Sequence, residues 1–538
     1  MSQIKVIDLF AGPGGLSEGF SSVTKRGGKA YSVVLSIEKD IDARETLKLR
    51  TFFRLFPRKM PDEYYMFLRG EIELDELYSK YPNQSKMAEK RAWLHELSEE
   101  DEKTGEVYSK IKEATGDDHN FVLIGGPPCQ AYSLAGRSRN AGNPEYDKEN
   151  DVRQVLYVEY LKILADHSPY VFVMENVKGI LSAKYKEERI FGRILNDLRN
   201  PYKALEREGR KTLGKDHTRY QIYSLITGKL VEDDDPYAAV IRAEKFGIPQ
   251  TRHRVILLGI RKDLGEIAPK KLKMGEKEIP VSSVLNGLPH LRSGLSKEAD
   301  SADHWVDVLK SQIGSSWVQA RIDRIDGQDL SDHLMKTLSY ISAPKHDLGH
   351  EFIESEVTSE YETNWYLDSK LGGICNHSSR KHIRYDLFRY FFASCYGEKF
   401  GSSPNLSNFP SELLPKHSNV KKAIKEGGNF SDRFRVQIAN KPATTIVSHI
   451  GKDGHYYIHP DPKQCRSFTV REAARVQTFP DNYYFWGVKT SQYQQVGNAV
   501  PPLLARQIAY VVLDIFRQAE SKESLRIPES EATSEVLE

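Results

Sequence analysis

The sequence predicts an α/β fold, in which a Rossmann-like sheet carries helices on both faces and a smaller, irregular region is added to it. Three short apolar runs, residues 4–10, 31–37 and 121–124, each stop at a glycine, a proline or an acidic residue. Runs of this length, rich in Val and Ile, are typical of buried parallel strands. A glycine-rich turn and a helix start follow the first run, which is the first β-α unit of a doubly wound sheet.

The first turn and the second strand together predict a nucleotide-like ligand. Residues 11–20 read Ala-Gly-Pro-Gly-Gly-Leu-Ser-Glu-Gly-Phe, and such glycines let the backbone approach a ligand without an intervening Cβ. The second strand ends in Glu38, at the position where these folds hydrogen-bond ribose hydroxyls. The pair of features indicates a cofactor that contains adenosine, and by itself it leaves NAD and S-adenosylmethionine both open.

The third strand leads into a turn that presents a single thiol. Residues 125–133 read Gly-Gly-Pro-Pro-Cys-Gln-Ala-Tyr-Ser, so Cys129 follows a Gly/Pro turn at the carboxyl edge of the sheet. Ligands bind at this edge in open α/β folds. A nucleophilic cysteine needs such a rigid, partly exposed position, whereas a lone cysteine elsewhere is more often a small buried hydrophobe.

Six blocks follow one another from one end of the chain to the other: Asp8–Gly15, Pro127–Gln130, Met174–Val177, Phe246–Arg254, Thr469–Asp481 and Gln495–Pro502. Together they resemble the motifs of the cytosine-5 DNA methyltransferases of bacterial restriction-modification systems. The resemblance implies an S-adenosylmethionine-dependent enzyme that methylates C5 of a cytosine in a specific double-stranded DNA sequence, through a covalent intermediate in which a cysteine is bonded to C6.

The resemblance also implies the catalytic residues. Cys129 would add to C6, and Glu175 would protonate or hydrogen-bond N3, which requires a raised pKa or a shared proton in a closed pocket. Arg252 and Arg254 alternate along a predicted strand, so their side chains should point to opposite faces. We expect Arg254 to face the pocket and fix Glu175 and the cytosine carbonyl, and Arg252 to support phosphate or structure.

The cofactor implied by the resemblance is S-adenosyl-L-methionine. Phe10 resembles the ring that stacks on the adenine, and Glu38 resembles the ribose acceptor. The third motif stays undecided between Gly70-Glu71-Ile72 and Gly116-Asp117-Asp118. The full set of expected cofactor-binding residues is Phe10, Gly12, Pro13, Gly14, Glu38, Pro128, Asn498 and Val500.

The positions of the motifs divide the 538 residues into regions, since this length exceeds one compact core. Residues 51–120 are expected to form a charged helical insertion packed on the side of the catalytic lobe. Between the paired arginines and the ninth motif the family places its target-recognition region, which is loop-rich because base readout needs irregular surfaces. The predicted regions are the catalytic lobe 1–262, the target-recognition domain 263–440, the ninth-motif region 441–490, the last motif with its returning helix 491–519 (helix 502–516), and a disordered acidic tail 520–538.

Charge is distributed unevenly along the chain. The net charge of +2 is too small to indicate nucleic-acid binding, but residues 371–450 carry 12 Lys and Arg against 5 Asp and Glu, a local net of +7. The densest basic run there predicts DNA contacts, through phosphates or guanine edges. Residues 134–143, rich in Gly, Ser, Arg and Asn, should form a loop that closes on DNA around a flipped cytosine. The expected DNA-binding residues are Ser133, Arg137, Arg380, Lys381, Arg384 and Arg389.

The remaining composition predicts a cytoplasmic enzyme, associated with the nucleoid in a prokaryote. Four cysteines in a chain of this length are typical of a reducing compartment, and the apolar runs are too short to span a bilayer. No metal is expected, because Cys375, His377, His382 and Cys395 are irregularly spaced. The expected partner is double-stranded DNA, bound by a monomer, with a cognate restriction endonuclease acting separately.

Two other functions are compatible with much of this pattern. A tRNA cytosine-5 methyltransferase would share nearly all of the motifs, although the long segment between motifs and the absence of Cys-Phe-Thr disfavour it. A non-catalytic DNA-binding member of the fold would have lost the chemistry, and the presence of Cys129, Glu175 and Arg254 argues against that.

Overall fold

The structure is a computed structural model, and part of the chain is described in it. The expected nucleophile Cys129 lies outside the described residues, as do Pro128, Ser133, Arg137 and the whole 134–143 segment. The described residues are 2–56, 59–98, 105–116, 118–127, 152–185, 188–214, 218–319, 329–416, 420 and 431–526.

The strands of the described residues fall into one large sheet and several two-stranded pairs. In chain order they are β1 Ile4–Leu9, β2 Thr24–Lys25, β3 Gly28–Lys29, β4 Tyr31–Glu38, β5 Ala92–Leu94, β6 Phe121–Gly125, β7 Val171–Val177, β8 Lys184–Tyr185, β9 Glu188–Arg189, β10 Tyr220–Ser224, β11 Val240–Arg242, β12 Gln250–Thr251, β13 His253–Arg261, β14 Gly294–Leu295, β15 Gly349–Glu354, β16 Gly373–Ser378, β17 Lys381–His382 and β18 Ala443–Thr444.

Helices cover both faces of the large sheet, and others lie within residues 263–440, the predicted target-recognition domain. They are α1 Gly15–Ser22, α2 Ile41–Arg54, α3 Asp62–Leu68, α4 Leu74–Lys80, α5 Pro82–Arg91, α6 Glu106–Thr115, α7 Val152–His167, α8 Ile190–Arg199, α9 Pro201–Arg207, α10 Ser282–Leu285, α11 Ala302–Lys310, α12 Ser316–Gln319, α13 Ser331–Ser339, α14 Thr363–Tyr366, α15 Arg384–Phe400, α16 Val470–Val476, α17 Lys489–Asn498 and α18 Pro502–Arg526.

The large sheet has eight strands in the order β10-β13-β7-β6-β1-β4-β5, with β11 also paired to β13. Strands β5, β4, β1, β6 and β7 are parallel, whereas β13 runs antiparallel to β7 and to β10. Parallel neighbours align their carboxyl ends at one edge, where loops can converge on a ligand. The predicted Rossmann-like α/β fold is confirmed.

Alternation along the strands separates the core into two layers. Val6 and Val122 pack on one face with α1 and the long helix α18. Ile7 and Leu123 pack on the opposite face with α6, α7 and α8. Each face of the sheet is therefore buried by helices, as the continuous apolar runs of the strands require.

The 51–120 region differs from the predicted insertion of charged helix. It contains the short helices α3 to α6, and it also supplies strand β5, which pairs in parallel with β4 from Ser36↔Ala92 to Glu38↔Leu94. Part of the region is thus the edge of the central sheet. Its three-residue strand was missed because Ala-Trp-Leu follows helix α5 directly, with no turn residue between them.

Helix α18 returns the end of the chain to its beginning. It crosses α1 so closely that a Cβ added at Gly19 would lie 2.6 Å from the Ala505 carbonyl carbon. The helix continues to Arg526, beyond the predicted end at residue 516, so the prediction of a disordered tail from 520 was wrong for its first seven residues. In the described part of the chain, the stretch Lys489–Lys522 is long and apolar enough to cross a membrane, and 78% of its apolar window is buried inside the protein.

The close crossing of α1 and α18 predicts the effect of one methyl group. Gly19→Ala should lower the free energy of unfolding by about 1–3 kcal/mol, because the new Cβ would overlap the Ala505 backbone. Gly192→Ala is the control: Gly192 lies in helix α8, and its added Cβ would meet only the Asp233 carboxylate, 3.5 Å away. That variant should gain up to about 1 kcal/mol from helix propensity. Equal denaturation midpoints for the two variants would contradict this packing.

Candidate active site

A cleft of about 720 Å³ opens at the carboxyl ends of β1, β4, β6 and β7. Residues from distant parts of the chain line it, including the first glycine turn, the Glu-Asn-Val strand, the paired arginines and the last motif. The sequence-predicted residues that line the cleft are Phe10, Gly12, Pro13, Glu38, Glu175, Arg252, Arg254, Asn498 and Val500.

The glycine turn and Glu38 form one hydrogen-bonded corner of the cleft. Glu38 Oε2 accepts from the Gly12 amide at 2.8 Å. Its other carboxylate oxygen accepts from the amides of Lys39 and Asp40 at 2.9 and 2.8 Å. Burial raises the pKa of Glu38, and these backbone donors oppose the shift. The carboxylate is therefore held rigidly at the position predicted for a ribose acceptor.

The neighbouring residues of the turn have different roles. Phe10 has a φ of 53°, in the left-handed region. Its half-buried side chain lines the cleft. Gly14, with a φ of 93°, precedes helix α1 and lies behind the wall of the cleft, where its added Cβ would be 2.7 Å from Leu47 Cδ2. Pro13 accepts a hydrogen bond from the hydroxyl of Tyr483. Gly14 thus shapes the turn rather than lining the cleft.

Glu175 and Arg254 form an ion pair inside the cleft. Arg254 Nε lies 2.8 Å from Glu175 Oε1, with 15% and 19% of the two side chains exposed. In the antiparallel register Arg254 is opposite Val177, so Glu175 is its diagonal neighbour on the same face. The structure thus brings these two predicted site residues together.

The turn that leads toward Cys129 crosses the same strand. A Cβ added at Gly126 would overlap the carbonyl oxygen of Glu175, so only glycine allows the backbone to pass this closely. Asn176 Nδ2 donates to the Pro127 carbonyl oxygen at 3.4 Å. Pro127 is the last described residue before Cys129, and it lines the cleft together with Glu175.

Arg252 occupies a different environment from Arg254. It lies between β12 and β13 rather than on a strand, which corrects the predicted alternation. Its Nη1 donates to the carbonyl oxygens of Ile446 at 2.8 Å and Gly497 at 3.3 Å. Burial, with a contribution from Arg254, lowers the pKa of Arg252 to about 9. Of the two predicted roles, phosphate or structure, its buried carbonyl partners favour structure.

The last motif closes the cleft against the first. Gln477 Nε2 donates to the carbonyl oxygens of Val496 and Ala499 at 2.8 and 2.7 Å, which fixes the bend that carries Asn498. A Cβ added at Gly15 would overlap the carbonyl oxygen of Val500. The last motif therefore packs backbone to backbone on the start of α1, and both expected cofactor residues, Asn498 and Val500, face the cleft.

Of the two candidates for the third motif, no described residue lines the cleft, and Asp117 lies outside the described residues. Gly70 follows helix α3, and the exposed Glu71 pairs with Arg69. The wall beyond β5 is formed instead by His95, Glu96 and Leu97. Glu96 Oε1 lies 2.7 Å from Lys39 Nζ. This position was missed because strand β5 was missed, and the residues that follow a sheet strand would have pointed to it.

Asp8 is a second cleft residue that the sequence analysis did not single out. The side chain is 1% exposed, and Oδ2 accepts from Ser17 Oγ at 2.5 Å. Its Oδ1 is buried, has no hydrogen-bond partner among the described residues, and belongs to a residue that lines the cleft. Burial raises the pKa of Asp8 to about 7, and the Ser17 hydrogen bond and Arg54 oppose this shift. An unpaired acidic oxygen here is available to a donor group on a ligand.

The expected DNA-binding residues of the basic run are not equivalent. Arg389 is 8% exposed, and it donates to the Leu413 carbonyl oxygen and pairs with Asp386, so its prediction as a DNA contact was wrong. Arg384 begins helix α15 and pairs with Glu298. Lys381 is exposed, and Arg380 is half-buried before the helix, not on its face.

The four residues considered for a metal site have other partners. Cys375 Sγ lies 3.6 Å from the Leu68 carbonyl oxygen, and His377 contacts Thr469 and the Pro289 carbonyl oxygen at 2.9 and 2.8 Å. His382 and Cys395 are buried. Among the residues that the structure describes, no group of three His, Cys, Asp or Glu side chains could hold a metal ion.

The chain is similar to cytosine-modifying enzymes over nearly its whole length. It matches the family described as C-5 cytosine-specific DNA methylase over residues 88–202 and 235–514. It is 32% identical to the type II methyltransferase M.Bpa9945I of Bacillus paralicheniformis, over 95% of this chain and 99% of that protein. It is 27% identical to the type II methyltransferase M.DdeI of Desulfomicrobium norvegicum, over 94% and 88% respectively. It is 26% identical to the DNA (cytosine-5-)-methyltransferase M.ApeKI of Aeropyrum pernix, over 73% and 81%.

The buried carboxyl group of Asp8 predicts a pH-dependent difference in stability. Because its pKa is about 7 in the folded protein and near 4 in an unfolded chain, the folded state keeps a proton that the unfolded state releases. This group's contribution to stability is therefore lost as the pH rises from about 4 to about 7, and is constant above that.

The Asp8→Asn variant should gain stability relative to the wild type across this range, by up to about 1.4 kcal/mol per pH unit. Denaturant unfolding at pH 4.5, 6 and 7.5 measures the difference. Asp75→Asn, on the exposed side of helix α4, is the control and should stay parallel to the wild type. A difference between Asp8→Asn and the wild type that does not change with pH would contradict the assignment.

Proposed function

We propose that this chain, which belongs to the C-5 cytosine-specific DNA methylase family, methylates C5 of one cytosine within a specific double-stranded DNA sequence. The reaction would proceed through a covalent bond from Cys129 to C6. The observation that carries the residue assignment is the ion pair of Glu175 with Arg254, which lies in the cleft beside the turn leading to Cys129.

S-adenosyl-L-methionine is the cofactor that we propose for the cleft, and the residues present fit it. Glu38 offers a carboxylate for the ribose hydroxyls, and Phe10 offers a ring for the adenine. Asp8 Oδ1 is an unpaired acceptor for a positively charged amino group. When bound, the cofactor supplies an electrophilic methyl group on sulfur. Asn498 and Val500 would close the opposite wall, with Gly12, Pro13 and Pro128 completing the site.

The proposed mechanism activates a base that is otherwise a poor nucleophile. The thiolate of Cys129 adds to C6, and the electron pair of the C5–C6 double bond becomes available at C5. Glu175 supplies a proton or hydrogen bond at N3, which makes C6 more electrophilic, while Arg254 orients Glu175 and donates to the cytosine carbonyl oxygen. Once C5 carried the methyl group and the cofactor remained as a neutral thioether, a base would take the C5 proton. The freed electron pair would re-form the C5–C6 double bond and expel the Cys129 sulfur as a thiolate, which restores the aromatic ring.

The target base must leave the double helix to reach this cleft. C5 and C6 are stacked inside a duplex, so we propose that the enzyme flips the cytosine out. Residues 134–143 follow the nucleophile in sequence, and we propose that they close on DNA with Ser133 and Arg137 in contact with it. We assign base recognition to residues 263–440, with Lys381 and Arg384 as exposed cations of the basic run.

The biological role that we propose is protection of host DNA in a restriction-modification system. The relatives named type II methyltransferases, which match this chain along nearly its full length, support this role. The enzyme would act as a monomer in the cytoplasm, next to a separate endonuclease that recognises the same sequence. An endonuclease gene found next to the gene for this protein would support the proposed role. Bisulfite sequencing of DNA from expressing cells would identify the methylated site.

The assignment of Cys129 predicts two results that separate chemistry from binding. Cys129→Ser should abolish methyl transfer while the affinity for S-adenosylhomocysteine, measured by calorimetry, stays near the wild-type value. With S-adenosyl-L-methionine present, the wild-type enzyme should form a denaturation-resistant adduct with a duplex that carries 5-fluorocytosine at the target. Once C5 is methylated, fluorine replaces the proton whose loss would release the Cys129 sulfur.

Cys395→Ser is the matched control, since Cys395 is buried in helix α15, within residues 263–440. This variant should keep methylation activity. Substantial methylation by Cys129→Ser would show that the proposed nucleophile is wrong.

A further inference from the structure

Two cations, Arg380 and Lys489, lie side by side next to segments that line the cleft. Lys489 Nζ donates to the carbonyl oxygen of Ser379 at 2.9 Å, which brings it next to Arg380. Within the part of the chain that the structure describes, neither side chain has a carboxylate oxygen within the 4.0 Å that defines an ion pair. Glu351, the acidic residue that acts electrostatically on Lys489, instead accepts a hydrogen bond from Asn376 at 2.9 Å.

Both side chains are held in place before any ligand arrives. The guanidinium of Arg380 lies over the ring of Tyr493, 3.9 Å from its centroid, and Nη2 donates to the Ile450 carbonyl oxygen. Lys489 is half-buried, and burial lowers the pKa of this lysine; Glu351 opposes the shift and Arg380 adds to it. Fixed side chains lose little conformational entropy on binding, which favours recognition of an anion.

The pair adjoins two segments that line the cleft. Ser491 and Gln494 line the cleft from helix α17, the helix that Lys489 begins. Ser448 and His449 line it from the turn Ser448–Gly451, and Arg380 donates to Ile450 of that same turn. The residue before the helix, Val488, is 73% exposed and supplies no capping hydrogen bond, so the positive end of the helix faces solvent beside the two cations.

We propose that Arg380 and Lys489 together bind a phosphate group of the DNA strand that carries the target cytosine. When the base enters the cleft, the backbone on either side of it must lie at the rim. A planar guanidinium suits two phosphate oxygens and an ammonium adds a point charge, so the two types complement each other. The inference rests on the proposed function because it requires DNA at this cleft, and it adds Lys489, which lies outside the predicted recognition region.

The test measures how DNA affinity depends on salt concentration. A duplex containing the methylated site is titrated with the wild type, Lys489→Gln, Arg380→Gln and the double variant, in the presence of S-adenosylhomocysteine. The double variant should weaken binding about eightfold at 0.1 M salt and reduce the slope of log K against log salt by about 0.9, the value for one phosphate. Each single variant should lie between the double variant and the wild type. The methylated sequence and the affinity for S-adenosylhomocysteine without DNA should not change, and Lys489→Arg should retain most of the binding.

Lys270→Gln is the control, because Lys270 pairs with Asp514 on helix α18 and is 73% exposed, away from the cleft. It should leave both affinity and slope unchanged. Since Arg380→Gln also removes the contact with Tyr493, the Lys489 variants decide the outcome if that protein unfolds. A wild-type slope in Lys489→Gln, or a changed methylated sequence, would overturn the inference. Failure of the wild type to methylate DNA would instead contradict the proposed function.

Discussion

The antiparallel pairing of β13 with β7 is the constraint on which the cleft depends. Its register puts Arg254 opposite Val177, so that Glu175 becomes a diagonal neighbour on the face that lines the cleft. A shift of one residue would move Arg254 to the other face of the sheet and leave Glu175 without its partner. The β7 strand also carries the contact with Gly126, so the turn toward Cys129 depends on the same element.

A second constraint joins the two ends of the chain around the cleft. The backbones of Gly15 and Val500 are in close contact. Arg252 donates to the carbonyl oxygens of both Ile446 and Gly497, and so links the segment of Ile446 to the last turn of helix α17. The cofactor wall therefore contains residues from the first and last motifs, while the neighbouring wall comes from the segment just before the ninth motif. Because Arg252 contacts both walls, the cleft is one packed unit although its residues are nearly 500 positions apart.

Local sequence predicted the residues whose placement local rules determine. Strands β1, β4 and β6 end in glycine turns or Glu38, and parallel pairing brings those ends together, so the cofactor corner followed from the strand pattern and the resemblance. Arg389 was predicted incorrectly because its burial depends on packing of α15 against Leu413 and Phe434, residues remote in sequence. Strand β5 was missed for a similar reason: three residues carry little periodicity, and pairing with β4 stabilises them.

The central claim is that Glu175 and Arg254 hold a flipped cytosine beside Cys129. The most direct measurement is a crystal structure of the enzyme after reaction with S-adenosyl-L-methionine and a duplex that carries 5-fluorocytosine at the methylated position. The account predicts a bond between Cys129 Sγ and C6 of an extruded base, with Glu175 at N3 and Arg254 at the carbonyl oxygen. A cytosine stacked in the helix, or one bound with Glu175 directed away from N3, would contradict it.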